Sequence, residues 1–211
     1  MRLQYWFRLT LGNIGSILGG SALYSLLMLA QGDGLLGYTF PQLPLFLLLF
    51  GAFLSLGLSL GVYRLPVSLA LSFGSTRREV LAGLQLYRLL PALVLPLCAA
   101  GLNALAGENA IFPAADILPL GVGVFLSFGA IGSLLSAVLT RFGTAAAIVT
   151  GIFVVVIGLA GGIVGVIMSF SRGSILPGGV SPWLLLGLGA VLHALSCIPE
   201  RRLVRGYNVK L

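Results

Sequence analysis

The chain predicts an all-α membrane protein, a polytopic bundle of six transmembrane helices with a short cytoplasmic helix between the second and third spans. Three observations carry this. Hydrophobic residues make up 58% of the 211 positions and charged residues only 8%, with a mean hydropathy of +1.11. A soluble domain carries about a quarter charged residues, and no water-facing surface can be built from so few. The apolar residues fall in runs of the length, about 20 residues, that a bilayer core requires. Eleven of the twelve arginines and lysines fall on one side of the topology those runs define.

The spans are placed at residues 9–30, 43–63, 85–106, 116–139, 145–170 and 182–198, within a single domain covering residues 1–211. Arg2 and Arg8 precede the first span. Arg64, Arg77, Arg78 and Arg88 are assigned to the connection between the second and third. Arg141 lies between the fourth and fifth, and Arg201, Arg202, Arg205 and Lys210 follow the sixth. Only Arg172 falls on the opposite side. Inner loops keep an excess of Arg and Lys, so both termini are expected in the cytoplasm. The scarcity of lysine and acidic residues points to a bacterial plasma (inner) membrane.

Ahead of the first span, Arg2 to Arg8 mixes arginines with Tyr5, Trp6 and Phe7. That composition suits the headgroup zone, as a short helix along the surface or as an aromatic-anchored lead-in. The apolar run behind it is too long for a cleavable signal, and no small-residue cleavage site follows. Outer loops are expected at residues 31–42, 107–115 and 171–181. Pro91 and Pro96 lie inside the third span, where each removes a backbone donor and favours a kink unless neighbours compensate. Cys98 and Cys197 lie in apolar surroundings and read as buried small hydrophobes.

Thirty glycines allow close helix packing in lipid. Small residues stripe the first span at Gly12, Ser16 and Gly20 and at Gly15 and Gly19. They stripe the second at Gly57 and Gly61, and the fifth at Gly158, Gly161, Gly162 and Gly165. The first and fifth stripes are candidates for a dimer seam. The net charge of +7 reads as orientation and attraction to anionic lipid headgroups. A nucleic-acid reader would need a folded basic face, which these scattered charges do not form.

The inner connection between the second and third spans has its own helix signals. Pro66 suits a first helical turn, and Gly74 suits a helix end where the chain turns left-handed. Thr76-Arg77-Arg78-Glu79 matches a capping box, in which the Thr hydroxyl accepts from the Glu79 amide and the Glu79 carboxylate reaches back to the Thr76 amide. A short helix should therefore end at Gly74 and a new one start at Thr76. Leu69, Leu71 and Phe73 are available on the short helix for docking, against a partner or in the headgroups.

The run from Val67 to Gly83, 17 residues containing Leu71-Ser72-Phe73-Gly74-Ser75-Thr76-Arg77-Arg78, resembles the stretch after the second helix in permease subunits of type-2 ATP-binding-cassette (ABC) exporters. The six-span topology with both ends inside is similar over the whole chain, and the basic ending resembles theirs more weakly. The resemblance implies that Val67 to Gly74 forms a coupling helix seated on an ATPase subunit, with Thr76, Arg77, Arg78 and Glu79 at its exit. It also implies cytosolic ABC ATPase subunits as partners, a second permease copy or paralogue, and an amphipathic helix matching Arg2 to Arg8. A re-entrant hairpin near residues 171–181 is a further implication.

No Gly-x-x-x-x-Gly-Lys-Ser/Thr run occurs, so ATP and magnesium would be bound by the partner and not by this chain, which is expected to be no enzyme. One His, two Cys and five carboxylates show no ligand spacing for a metal. His193, inside the sixth span, is a candidate for the substrate path or a packing hydrogen bond. The expected cargo is hydrophobic, lipid-like, peptide or drug-like, because no charged intramembrane cluster is evident in the sequence. Two other classes stay open: the substrate-binding component of an energy-coupling-factor importer, and an intramembrane protease using Ser133 and His193. The second lacks the Gly after Ser133 that rhomboid-type proteases show.

Overall fold

The computed structural model describes residues 2–30, 40–107, 115–143 and 181–206, together with 113, 145, 148 and 152. The described residues are helical throughout, with no strand. In chain order they form α1 (Arg2–Ala30), α2 (Phe40–Gly61), a π-helical turn (Tyr63–Val67), α3 (Ser68–Ser72), α4 (Arg77–Leu105), α5 (Ile117–Phe142) and α6 (Pro182–Gly206). Among the described residues, four helical segments are long and apolar enough to cross a membrane: Leu43–Gly61, Arg77–Leu105, Ile117–Phe142 and Pro182–Gly206. The first expected span lies within the continuous helix α1. The fifth expected span apart from residues 145, 148 and 152, the outer segments at 31–39 and 171–180, and Gly158, Gly161, Gly162 and Gly165 lie outside the described residues.

α5 is the centre of the bundle, packing on α2, α4 and α6, while α1 leans on α4 and α2. A central core joins Ile14 and Ile17 of α1, Leu47 and Leu48 of α2, Leu95 and Ala99 of α4, and Leu120, Phe125 and Leu126 of α5. A second core closes one end of the bundle. There Trp6, Val62, Tyr63, Val67, Ala70, Val80, Leu84, Tyr87 and Val204 bring α1, the π-turn, α3, α4 and α6 together.

Glycines set several crossings. A Cβ on Gly123 would lie 2.6 Å from the Leu185 carbonyl group, and one on Gly189 would run into the Gly123 carbonyl, so α5 and α6 meet backbone to backbone. Gly132 admits Ser59 and the Leu56 carbonyl of α2, at 2.7 and 2.8 Å from where its Cβ would be. Of the glycines picked out by spacing, Gly20 admits Phe50 of α2, at 2.8 Å from where its Cβ would be, whereas a Cβ on Gly12, Gly15, Gly19, Gly57 or Gly61 would meet nothing within 4 Å.

The amino-terminal segment departs from both expectations of the sequence. Arg2 to Arg8 is continuous with α1, and Trp6 is buried, its indole lying where a Cβ of Gly83 would be. Tyr5 and Tyr87 meet the Trp6 ring edge-on. The notch at Gly83 draws the aromatic inward, so it is not displayed at a surface. α4 also runs through Pro91 and Pro96 as one helix, both prolines being buried in the bundle. α6 continues past the expected end at residue 198, through Pro199 to Gly206, because Glu200 and Val204 are buried against its neighbours. Arg201, Arg202 and Arg205 are therefore helical residues and not part of a loose tail.

Hydroxyl groups on these helices are mostly satisfied locally. Thr10, Ser16, Ser21, Ser127 and Thr140 each donate to the carbonyl four residues back. Ser136 instead donates to the Leu60 carbonyl at 2.7 Å and ties α5 to the end of α2.

Filling the α5–α6 crossing should be far more damaging than filling the α1 stripe. Gly123→Val is expected to destabilise the chain by about 1–3 kcal/mol through overpacking, and Gly15→Val to leave it unchanged, in detergent-denaturation titrations of the purified protein.

Candidate functional site: an exposed elbow beside a buried charge pair

The connection between α2 and α4 is built by two backbone devices. Pro66 has no N–H, so it cannot bond the carbonyl of Val62 four residues back. That carbonyl is taken by the amide of Val67 at 3.0 Å, five residues on, which makes the turn π-helical. The backbone at Val62, Val67 and Ser68 stays in the right-handed helical region. The short helix is therefore the continuation of α2 past a π-turn, and not a separate helix nucleated at Pro66.

Its end matches the reading of Gly74. Gly74 has φ 75°, its amide donates to Leu71 O at 2.9 Å, and the Ser75 amide donates to Ala70 O at 2.9 Å. Those two bonds are a Schellman closure. The chain then restarts in the expected capping box. The Thr76 amide donates to Glu79 Oε2 at 2.7 Å and the Glu79 amide to Thr76 Oγ1 at 3.3 Å. Glu79 also places a negative charge in the first turn of α4, where the helix dipole favours it.

One side of this elbow is buried and the other is not. Val62, Tyr63, Val67 and Ala70 face the second core. Leu65, Leu69 and Phe73, four residues apart, are exposed at 66%, 38% and 74%, with Arg77 and Arg78 exposed beside them. Leu71, expected on the docking side, instead packs partly buried against the second core. Leu65 takes its place in the exposed stripe, because residues four apart share a helix face whereas Leu71, two residues from Leu69 and Phe73, points elsewhere.

Behind the elbow lies a group that the sequence reading missed. Arg88, assigned to an inner connection, sits within α4 and is buried, with Nη2 2.6 Å from Glu200 Oε2 of α6. The two side chains are 4% and 1% exposed. Arg88 Nη1 also donates to Ser133 Oγ of α5 at 3.1 Å and to Ser196 Oγ of α6 at 2.9 Å. Each serine passes its own proton to a carbonyl three residues back, Ala130 O and His193 O, and so leaves a lone pair for the guanidinium. Gln85 Nε2 lies 3.4 Å from both Glu200 Oε2 and Cys197 Sγ. Tyr63, just beyond the α2 segment, is fully buried in the second core.

A buried charged cluster therefore lies between helices long and apolar enough to cross a membrane, where the sequence reading saw none. The signal for it was present. Arg88 falls inside the expected third span, and a charge placed there needs a partner. Glu200 was read as lying beyond the sixth span, so the pair was not assembled.

His193 is partly buried on α6, and among the described residues its Nδ1 has no hydrogen-bond partner. Its backbone carbonyl serves Ser196 and Cys197. Ser133 is committed to Arg88 and Ala130, which is not the arrangement of a nucleophile activated by His193. Cys98 and Cys197 are free thiols. Among the described residues no group of three potential metal ligands comes together. No protein-family model, curated protein or solved structure matches the chain.

Removing one member of the buried pair should be severe. Glu200→Ala or Arg88→Ala is expected to lower stability by about 3–5 kcal/mol, and Arg88→Met with Glu200→Leu to recover most of it, in the same denaturation titrations. Thr76→Ala should remove about 1 kcal/mol through the lost cap.

Proposed function

We propose that this chain is the membrane-spanning permease subunit of an ATP-driven ABC transporter, an exporter energised by separate cytosolic ATPase subunits. The observation that carries the reading is the elbow. A short rigid turn between two long apolar helices presents Leu65, Leu69 and Phe73 to the outside, with Arg77 and Arg78 at its exit. Apolar side chains at helical spacing rimmed by arginines suit a groove on a soluble partner. The Schellman closure and the capping box hold the stripe on a stiff mount. Force applied there enters α4 directly.

On this reading the long apolar helices lie in a plasma membrane, with the elbow and both termini on the cytoplasmic side. ATP and magnesium belong to the ATPase, and a second permease copy or paralogue completes the path. The unfilled glycine stripe of α1 is one surface such a copy could use. The cargo is hydrophobic, lipid-like or peptide-like. The cluster is paired through Arg88 Nη2 and Glu200 Oε2, while Arg88 Nε and Glu200 Oε1 have no hydrogen-bond partner among the described residues.

Gentle purification should recover a P-loop ATPase at equal stoichiometry. Phe73→Asp, or Arg77→Glu with Arg78→Glu, should abolish transport-coupled ATP hydrolysis while leaving the chain's own denaturation midpoint unchanged. An elbow labelled from outside intact cells by a membrane-impermeant reagent, or unaltered coupling in the Phe73→Asp complex, would sink the reading.

A further inference from the structure

α6 is held to its neighbours in two different ways. Against α5 it rests on the Gly123–Gly189 backbone crossing, a seam with no side chain between the helices. Against α4 the contact is sparse, and its core is polar: Arg88 to Glu200, Arg88 to Ser196, and Gln85 to Glu200 and Cys197. Val204, one turn beyond Glu200, is the α6 residue that enters the second core beside the elbow.

The other end of the connection is equally defined. α4 is one helix from its capping box to Leu105, and Arg88 lies eleven residues after Arg77. At 1.5 Å per residue the pair is about 16 Å from the start of α4. A displacement of the elbow is thus delivered to Arg88 along an unbroken rod. A smooth apolar contact would let α6 slip at that point. An ion pair in a dry setting does not, because sliding apart leaves both charges unpaired.

We infer that Arg88 and Glu200 form an interlock that makes α4 and the last helix move as one body, so that the elbow drives α6 and its basic end (Arg201, Arg202 and Arg205) as well as α4. Arg88 and Glu200 are positioning residues in this arrangement. The inference extends the permease reading, but its structural half can be tested apart from it.

The experiment uses the full chain with Cys98→Ser and Gln85→Cys, which places a thiol on α4 facing native Cys197 on α6. A short bis-thiosulfonate reagent bridges the two. In Glu200→Gln, amide exchange over the last two turns of α6 should quicken by about tenfold or more. The charge swap Arg88→Glu with Glu200→Arg should restore protection, and so should the cross-link in the Glu200→Gln background. In the complex with its ATPase, Glu200→Gln should lose transport, and the cross-link should restore it, since locking two elements that already move together does no harm. Unchanged exchange in Glu200→Gln, or a cross-link that stops transport in the otherwise native pair, would overturn the interlock. If no ATPase activity accompanies the native chain, the permease reading fails, while exchange and cross-link rescue still decide whether α4 and α6 are tied.

Discussion

A guanidinium and a carboxylate, removed from water and held 2.6 Å apart, set the terms on which the rest of this molecule is assembled. Neither charge can be buried alone, because the desolvation penalty of an unpaired ion is several kcal/mol. Their partners explain otherwise unrelated choices: serines at 133 and 196 whose protons go backward into their own helices, a glutamine at 85, and a helix that runs on through Pro199 to bring Glu200 into place. α4, α5 and α6 each contribute, and the second core closes over the same end of the bundle.

The elbow depends on that end of the bundle. Its inner face packs on Val80, Leu84 and Trp6, with Tyr63 fully buried in the same core. A stripe of exposed leucines and phenylalanine on a mobile loop would be an aggregation hazard more than an interface. Here the stripe is fixed from behind by core packing and at both ends by backbone bonds, so its shape is determined before anything binds it.

Local chemistry was legible in the sequence where few residues decide the outcome. Gly74 ends a helix because its φ is positive, and Thr76 with Glu79 starts the next because two amides need acceptors; neither depends on distant parts of the chain. The long apolar helices were legible from hydropathy for the same reason. What escaped was set by tertiary contact. Counting Arg88 as an orientation signal treated it as a solvated charge, and its partner stands 112 residues away. Trp6 looked like a headgroup anchor until Gly83 supplied a notch. Pro66 was read as a helix start, but inside a helix that is already running its missing N–H shifts the hydrogen-bond register instead. Spacing picked out the glycines of α1, of which Gly20 meets Phe50, whereas the crossings of α5 use Gly123, Gly132 and Gly189, which show their role only once the helices are set side by side.

The order of synthesis adds a constraint to the pair. Arg88 is made 112 residues before Glu200, so a nascent chain carries its arginine through that stretch of translation without the counter-ion that the finished fold supplies. A product truncated between α5 and α6 keeps that orphan charge permanently, together with Ser133 but without Ser196. Such a fragment bears its own mark of incompleteness, a stranded cation in an apolar bundle.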